Sequence, residues 1–184
     1  MNIKKAKTNY QIESIYRLYM TAFPKEERKP FELMLEKEKE GSMELLCIED
    51  DAQGFLGLAI FVLYKDLALL DYFAIADEHR GKGLGTEALR LLQTYHQGTR
   101  FFLEIEDIHV ESDNKEERMR RRAFYLRNEM RVMSFTVDLF GVCMEVLTHH
   151  CQVSDEEYMQ LYTETFGKKR ILANVKIRKL FKTN

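Results

Sequence analysis

A chain of 184 residues is long enough for one domain that buries roughly 70% of the surface its unfolded form exposes. Its 45% hydrophobic and 32% charged residues match an ordinary globular protein in water, and no stretch is low in complexity or repeated. A net charge of −2 gives no overall attraction for nucleic acid, and no apolar run approaches 18 residues, so a nucleic-acid binder and a membrane-spanning protein are both disfavoured.

The first residues, MNIKKAKTNY, lack the apolar core of a signal peptide. Cys47, Cys143 and Cys151 are odd in number and widely spaced, so reduced thiols and a cytoplasmic location are expected. Asn2 to Ala6 reads as a short strand. Apolar residues at Ile12, Ile15, Tyr16, Tyr19 and Phe23 then recur with the period of an amphipathic helix, which Pro24 ends. After the loop PKEERKP a second helix is predicted from Phe31 to about Glu40, with Phe31, Met34 and Leu35 on one side and Gly41 as its stop. Ser42 to Glu49 and Phe55 to Tyr64 read as an antiparallel hairpin turning through Asp50 to Gly54, and Lys65-Asp66 makes a tight turn into a further strand.

That strand, Leu67 to Ala76, is an apolar run broken only by Asp71, and it should be buried. Four polar residues, Asp77 to Arg80, lead to Gly81-Lys82-Gly83-Leu84-Gly85-Thr86. From there Leu84, Ala88, Leu91, Leu92 and Tyr95 form the stripe of an amphipathic helix that ends near His96. Glycines at a helix start let ligand atoms approach the backbone, where unpaired N–H groups attract phosphates. A Walker A loop does not fit, because Lys82 lies between two glycines and no Gly-Lys-Ser/Thr follows. The dinucleotide fingerprint fits the spacing Gly83-x-Gly85-x-x-Ala88, with Glu104 lying 21 residues after Gly83. Against it, several polar residues separate strand from glycine, and further βαβ units are missing beyond residue 107.

Gly98 is a stop signal, and Arg100 to Glu106 is a strand that a helical crossover should set parallel to the one before it. Ile108 to Asn114 is polar loop. Lys115 to Asn128 is predicted helical with Met119, Ala123, Leu126 and Met130 as its buried stripe. Its arginines, Arg118 to Arg122, are expected on the surface, bridged by Glu116 and Glu117 one turn before Arg120 and Arg121. Arg131 to Leu139 and Val142 to Thr148 form a last hairpin through Phe140-Gly141. His149-His150-Cys151 invites a metal reading, but consecutive residues do not easily face one ion, so a strand end is preferred and no metal is expected. Ser154 caps a helix carrying Tyr158, Leu161, Tyr162 and Phe166. The stretch from Gly167 to Asn184 is basic, with Lys168, Lys169, Arg170, Lys176, Arg178, Lys179 and Lys182 and no acid, and reads as a solvated basic face on an acidic body. The sum is an α/β domain over residues 1–150 with a C-terminal helical extension, 151–184, packed on it.

Arg80-Gly81-Lys82-Gly83-Leu84-Gly85 fits the pattern Arg/Gln-x-x-Gly-x-Gly/Ala and resembles the acyl-CoA pyrophosphate loop of the GNAT superfamily of N-acetyltransferases. The preceding FAIADEHR resembles that family's lead-in of strand, acidic turn and arginine, and the element order over roughly residues 2 to 148 is similar as well. The resemblance implies a mixed, mostly antiparallel seven-stranded sheet with helices on both faces. It also implies transfer of an acetyl group from acetyl-CoA, as co-substrate, to a small-molecule or peptide amine that attacks the thioester directly. A non-catalytic acyl-CoA sensor and a dinucleotide-binding protein are the alternatives. No nucleic acid or membrane partner is implied, and a homodimer is allowed.

The resemblance places the pyrophosphate on Arg80, Gly81, Lys82, Gly83, Leu84, Gly85 and Thr86, and the pantetheine arm along Phe73, Ala74 and Ile75, with a backbone N–H there facing the thioester oxygen. The arm enters where the strands at 67–76 and 100–106 splay apart. Tyr125, in RAFYLRNEM, resembles the family's general acid in A-x-F/L-Y-x-x-x-Gly-Phe, although Asn128-Glu129-Met130 stands in place of the x-Gly-Phe ending. Glu104 is the first candidate base, Glu106 the second and Asp71 the third, since a carboxylate in a dry cleft can take a proton from an ammonium. The loop Pro24 to Pro30, with Glu26, Glu27 and Arg28, and the second helix are implied to roof the acceptor.

Overall fold

The computed structural model describes residues 1–179. Among these, the elements run β1 (Asn2–Lys5), α1 (Asn9–Ala22), α2 (Phe31–Lys39), β2 (Met43–Asp50), β3 (Gly54–Tyr64), β4 (Leu67–Ile75), α3 (Leu84–Tyr95), β5 (Arg100–Glu106), α4 (Lys115–Arg127), β6 (Met130–Leu139), β7 (Val142–His149), α5 (Asp155–Phe166), α6 (Lys168–Asn174) and β8 (Val175–Lys179). The strands join in the order β1-β2-β3-β4-β5-β7-β6-β8 as one mostly antiparallel sheet flanked by helices, the expected α/β class. The sheet has eight strands rather than seven. The extra one comes from VKIRK in the basic tail, whose alternation of apolar and charged residues lets Val175 and Ile177 pair opposite Leu139 and Val137 of β6. The chain forms two compact units: Met1–Leu63 with Leu70–Gln97, and Tyr64–Leu69 with the chain from Gly98 onward.

In the first unit, α1 starts at a reciprocal cap. The Thr8 hydroxyl accepts the Gln11 N–H and the Gln11 side-chain oxygen accepts the Thr8 N–H, each at 3.2 Å. The helix buries Ile15 and Tyr19, on the face its periodicity marks, and α2 buries Phe31 and Met34. β2 and β3 are buried over most of their length. Gly57 of β3 has a specific reason to lack a side chain, because a Cβ there would sit 2.4 Å from the Ala74 carbonyl oxygen. The end of β4 is thereby drawn onto β3, and the Ala76 N–H reaches the Leu56 carbonyl at 2.9 Å. Ile75 joins Ile48, Leu56 and Ala88 in a buried cluster, with Phe73 and Leu84 packed against it. The first turn of α3 is thus fixed to the last residue of β4 by apolar packing.

In the second unit, Arg100 at the start of β5 holds two carboxylates at once. It meets Asp66 at 2.7 and 2.9 Å and Glu157 at 2.7 and 2.8 Å, tying the turn before β4 to the start of α5. α5 begins with a second reciprocal cap, between Ser154 and Glu157, and buries Tyr158, Leu161, Tyr162 and Thr165. The β6–β7 hairpin turns at Phe140 and Gly141, both left-handed at φ +51° and +88°. The basic tail does meet acids where it is described, Arg178 pairing with Asp138 at 3.2 Å and Lys179 with Asp155 at 2.9 Å. Lys168, Lys169, Arg170, Lys176, Arg178 and Lys179 are all exposed, so the face is solvated as expected, with β8 as a sheet edge within it, while Lys182 lies outside the described residues.

The stripe expected on α4 is buried at Met130, which is 2% exposed and begins β6, but not along the helix itself. Met119 and Leu126 are 52% and 39% exposed, and the helix buries Tyr125 instead. Arg118, Arg122 and Tyr125 lie three to four residues apart and turn inward, because acids on the neighbouring strands meet the guanidiniums: Arg118 and Arg121 reach Glu106 of β5, and Arg122 reaches Glu145 of β7 at 2.7 Å. Within the helix only a loose Glu116–Arg120 contact at 3.9 Å survives of the bridges expected there.

Candidate active site

Phe73, Ala74, Ile75 and the loop from Arg80 to Thr86 all lie in the first unit. β4 ends at Ile75, and one 3₁₀ turn, Asp77–His79, redirects the chain. The Arg80 guanidinium folds back on that turn, its Nε donating to the Ile75 carbonyl at 3.0 Å and its terminal nitrogen pairing with Asp77 at 2.7 Å. The arginine that the motif singles out therefore fastens the loop to the strand end. Gly81 and Gly83 both adopt φ +78°, a conformation that costs other residues about 1–2 kcal/mol, and a Cβ on either would project into open space.

Gly83 is the N-cap of α3, and no side chain caps that end. The positive end of a helix of 12 residues thus stands behind an open, glycine-lined face. This fits the phosphates of an acyl-CoA. Lys82 is exposed at the rim, its ammonium 3.4 Å from the Glu78 carbonyl, while Leu84, Gly85 and Thr86 form the half-buried first turn of α3. Phe73 is half-buried and Ala74 and Ile75 are buried, leaving their main chain as the part that a ligand can address.

Asp71, the third candidate base, is also in this unit. Lys29 grips it at 2.8 and 2.9 Å, and the same ammonium lies 5.1 Å from the centre of the Tyr72 ring. The Tyr72 hydroxyl donates to the Glu27 carbonyl at 2.7 Å and accepts the Lys29 N–H at 3.2 Å, and the Tyr19 hydroxyl donates to the Lys29 carbonyl at 3.0 Å. Burial pushes both phenols far above their ordinary value. The loop from Pro24 to Pro30 is therefore a fixed structure, anchored through its main chain on the ring cluster of Tyr19, Phe23 and Tyr72. Asp71 serves to hold it.

Glu104, Glu106 and Tyr125 lie in the second unit. The Glu104 carboxylate accepts from the Tyr162 hydroxyl of α5 at 2.9 and 3.1 Å. Glu106 is 3% exposed and accepts from Arg118 at 2.9 Å, from Arg121, and from the Asn114 amide at 3.3 Å. Its two oxygens are thus taken up by cations, so it is placed to orient α4 on β5. Tyr125 is 8% exposed, and burial pushes its phenol up to about 12, with the Arg121 charge acting the other way. A phenol in that state keeps its proton across the neutral range. Asn128 closes α4, its side-chain amide donating to the Phe124 carbonyl at 2.8 Å, and Glu129 takes the left-handed turn that glycine would otherwise supply. The departure from the family's x-Gly-Phe ending therefore leaves the turn intact.

Gly57, Arg118, Arg121 and Tyr162 shape these sites; the sequence alone leaves Gly57 unmarked, puts Arg118 and Arg121 on a solvent-facing helix surface and assigns Tyr162 no part in the site. A lone glycine inside an apolar strand was the available signal for the first. The others act on acids far away in the chain, which no local pattern marks.

The profile of the Acetyltransferase (GNAT) family matches residues 12–127, a span from α1 through α4 that contains both the glycine loop and Tyr125. No curated protein matches the chain in sequence. Among solved structures, a GNAT-family protein from Bacteroides thetaiotaomicron aligns with a TM-score of 0.71 at 20% identity, covering 91% of this chain and 99% of its own. The spermidine N-acetyltransferase from Vibrio cholerae in complex with CoA and spermine aligns with a TM-score of 0.61 at 13% identity, covering 86% and 97%. A GNAT-family protein from Desulfovibrio desulfuricans gives 0.59 at 16% identity, covering 80% and 96%. At such identities the structural likeness speaks for the fold, and the profile match over most of the chain decides membership: the protein belongs to the acetyltransferase (GNAT) family.

Proposed function

We propose that the protein transfers the acetyl group of acetyl-CoA to an amine, which attacks the thioester directly. The observation that carries this reading is the glycine loop at the uncapped start of α3, pinned to the end of β4 by Arg80 and by the Ile75–Ala88 packing. Gly81 to Thr86 hold the pyrophosphate through backbone N–H groups, with Lys82 adding charge at the rim. The pantetheine arm runs along Phe73 to Ile75, whose main chain offers one N–H to the thioester oxygen. Such a donor is worth roughly 3 kcal/mol when charge develops on that oxygen. Acetyl-CoA supplies the activated acyl group. Gly57 supports the placement, since it lets this end of β4 lean onto β3.

Tyr125 gives its proton to the leaving thiolate. Its burial supports that role by keeping the phenol protonated, and among the described residues no side chain hydrogen-bonds to its hydroxyl. Glu104 stays the first candidate base, because both oxygens of Glu106 are clamped by guanidiniums. The acceptor is a small-molecule or peptide amine. The Vibrio cholerae relative solved with spermine supports the amine class and nothing finer at 13% identity. A cytoplasmic location and a homodimer belong to the same proposal. Among the described residues no helix is long and apolar enough to cross a membrane, and a structural relative described as dodecameric supports self-association without its number.

The test is to incubate the protein with acetyl-CoA and a panel of mono-, di- and polyamines and amino-terminal peptides, following free thiol and product mass together. Thiol release matched by an acetylated amine is expected. Tight acetyl-CoA binding without transfer to any member would instead favour an acyl-CoA sensor.

A further inference from the structure

β6 begins at Met130 and β7 ends at His149, directly opposite it. One position further out, Glu129 and His150 both take left-handed backbone, at φ +67° and +51°. Neither is glycine or asparagine, so each conformation costs about 1–2 kcal/mol. The consequence is geometric. In a regular strand His149 and His150 would point to opposite faces. The left-handed step at His150 instead brings the two rings to a centroid distance of 4.2 Å. His150 Nε2 lies 2.9 Å from a Glu129 carboxylate oxygen, and one donor atom from each of the three residues lies within 4.8 Å of the others. The backbone thus sets two of the three consecutive residues side by side, which a regular strand would not do, while Cys151 stands outside the group.

We propose that Glu129, His149 and His150 form a binding site for a divalent transition metal, with Zn²⁺ the best match. Two imidazoles and a carboxylate are a common three-ligand set for zinc, leaving the fourth position to water. With bonds of about 2.0–2.1 Å, ligand atoms around a tetrahedral zinc stand about 3.3 Å apart. The Glu129–His150 pair at 2.9 Å is already near that separation, and side-chain rotation supplies the remaining closure. Glu129 and His150 are more than half exposed, so the site is open to ions from solution. A metal here would staple the start of β6 to the end of β7, immediately after the α4 helix that carries Tyr125. A second cluster, Asp107, His109 and Glu145, also gathers donor atoms. It is the weaker candidate, because Glu145 is paired with Arg122 at 2.7 Å and Asp107 accepts the His109 N–H at 2.8 Å.

The test uses the full chain, stripped with chelator and titrated with Zn²⁺ alone, by calorimetry and by thermal unfolding. The parent is expected to bind one ion per chain and to gain Tm on saturation. His149→Gln and His150→Asn should each weaken binding by at least about 100-fold, beyond what outer-shell changes usually cause, and abolish the Tm gain. Asparagine tolerates the left-handed conformation at position 150, and an unchanged zinc-free Tm will show that the variant is folded. His109→Asn should bind as the parent does. No saturable binding in the parent, stoichiometric binding that persists in the double variant His149→Gln/His150→Asn, or loss in His109→Asn would each overturn the proposal.

Discussion

The candidate residues of the two units are held by opposite means. In the first unit the groups proposed to face the ligand are main chain: the Gly81–Thr86 loop and the edge of Phe73–Ile75, shaped by two left-handed glycines, a strand glycine and a folded-back arginine. In the second unit the groups are side chains, Tyr125 and Glu104, carried on a helix and strand that Arg118 and Arg121 join through Glu106, while Arg122 ties the helix to Glu145 of β7. The first kind of site tolerates side-chain change as long as the backbone keeps its shape. The second fails when one charge is removed, because a buried partner is left unpaired. Substitutions in the two regions should therefore fail differently, one losing ligand while staying folded and the other losing chemistry or stability.

The largest effect is expected at Tyr125. Tyr125→Phe keeps the ring and its packing, and kcat should fall about 10²–10⁴-fold with acetyl-CoA affinity nearly unchanged. Because the phenol is pushed up to about 12, the parent should show no alkaline loss of kcat from this group below that pH. Parent-like kcat in Tyr125→Phe, under conditions where chemistry limits the rate, would leave Tyr125 a packing residue. Next comes Glu106→Ala, which strands Arg118 beside a vacated site and should cost about 3 kcal/mol in denaturant unfolding. Glu104→Gln should lower turnover most at low pH, with acetyl-CoA affinity nearly unchanged. If the two variants exchange behaviour, the assignment of base and brace is reversed.

Gly83→Val should weaken acetyl-CoA binding by about 100-fold or more in a folded protein, since the valine must take a left-handed φ and would fill the face of the loop. Calorimetry on the soluble variant decides this, and unchanged affinity would remove the loop from the site. The smallest effects belong to the caps. Thr8→Ala and Ser154→Ala break one reciprocal cap in each unit and should each cost about 1 kcal/mol, read as a shift in the unfolding midpoint.

The same contrast explains which parts were legible in the sequence. The strand, polar turn, spaced glycines and helix of residues 67–95 are local, and each residue type there has a conformational reason to stand where it does. The α4 face was misread because periodicity counts apolar residues, whereas the inward-facing stripe is Arg118, Arg122 and Tyr125, its two guanidiniums partly buried against acids on β5 and β7. β8 was missed because its charges dominate a five-residue segment whose alternation is otherwise that of a strand. Arg100 gave no local sign of its role, since its partners lie 34 and 57 residues away. The reciprocal cap at Thr8 and Gln11 was visible in principle from its spacing.

The central claim, that acetyl-CoA is held by main chain at the start of α3, is tested most directly by amide hydrogen exchange. The folded parent is compared with and without acetyl-CoA, resolving the peptides that cover residues 73–75 and 81–86. Slowed exchange in both segments, reproduced by CoA and absent in Gly83→Val, is the predicted result. Saturating acetyl-CoA that leaves exchange at Gly81 to Thr86 unchanged, while protecting some other segment, would contradict it.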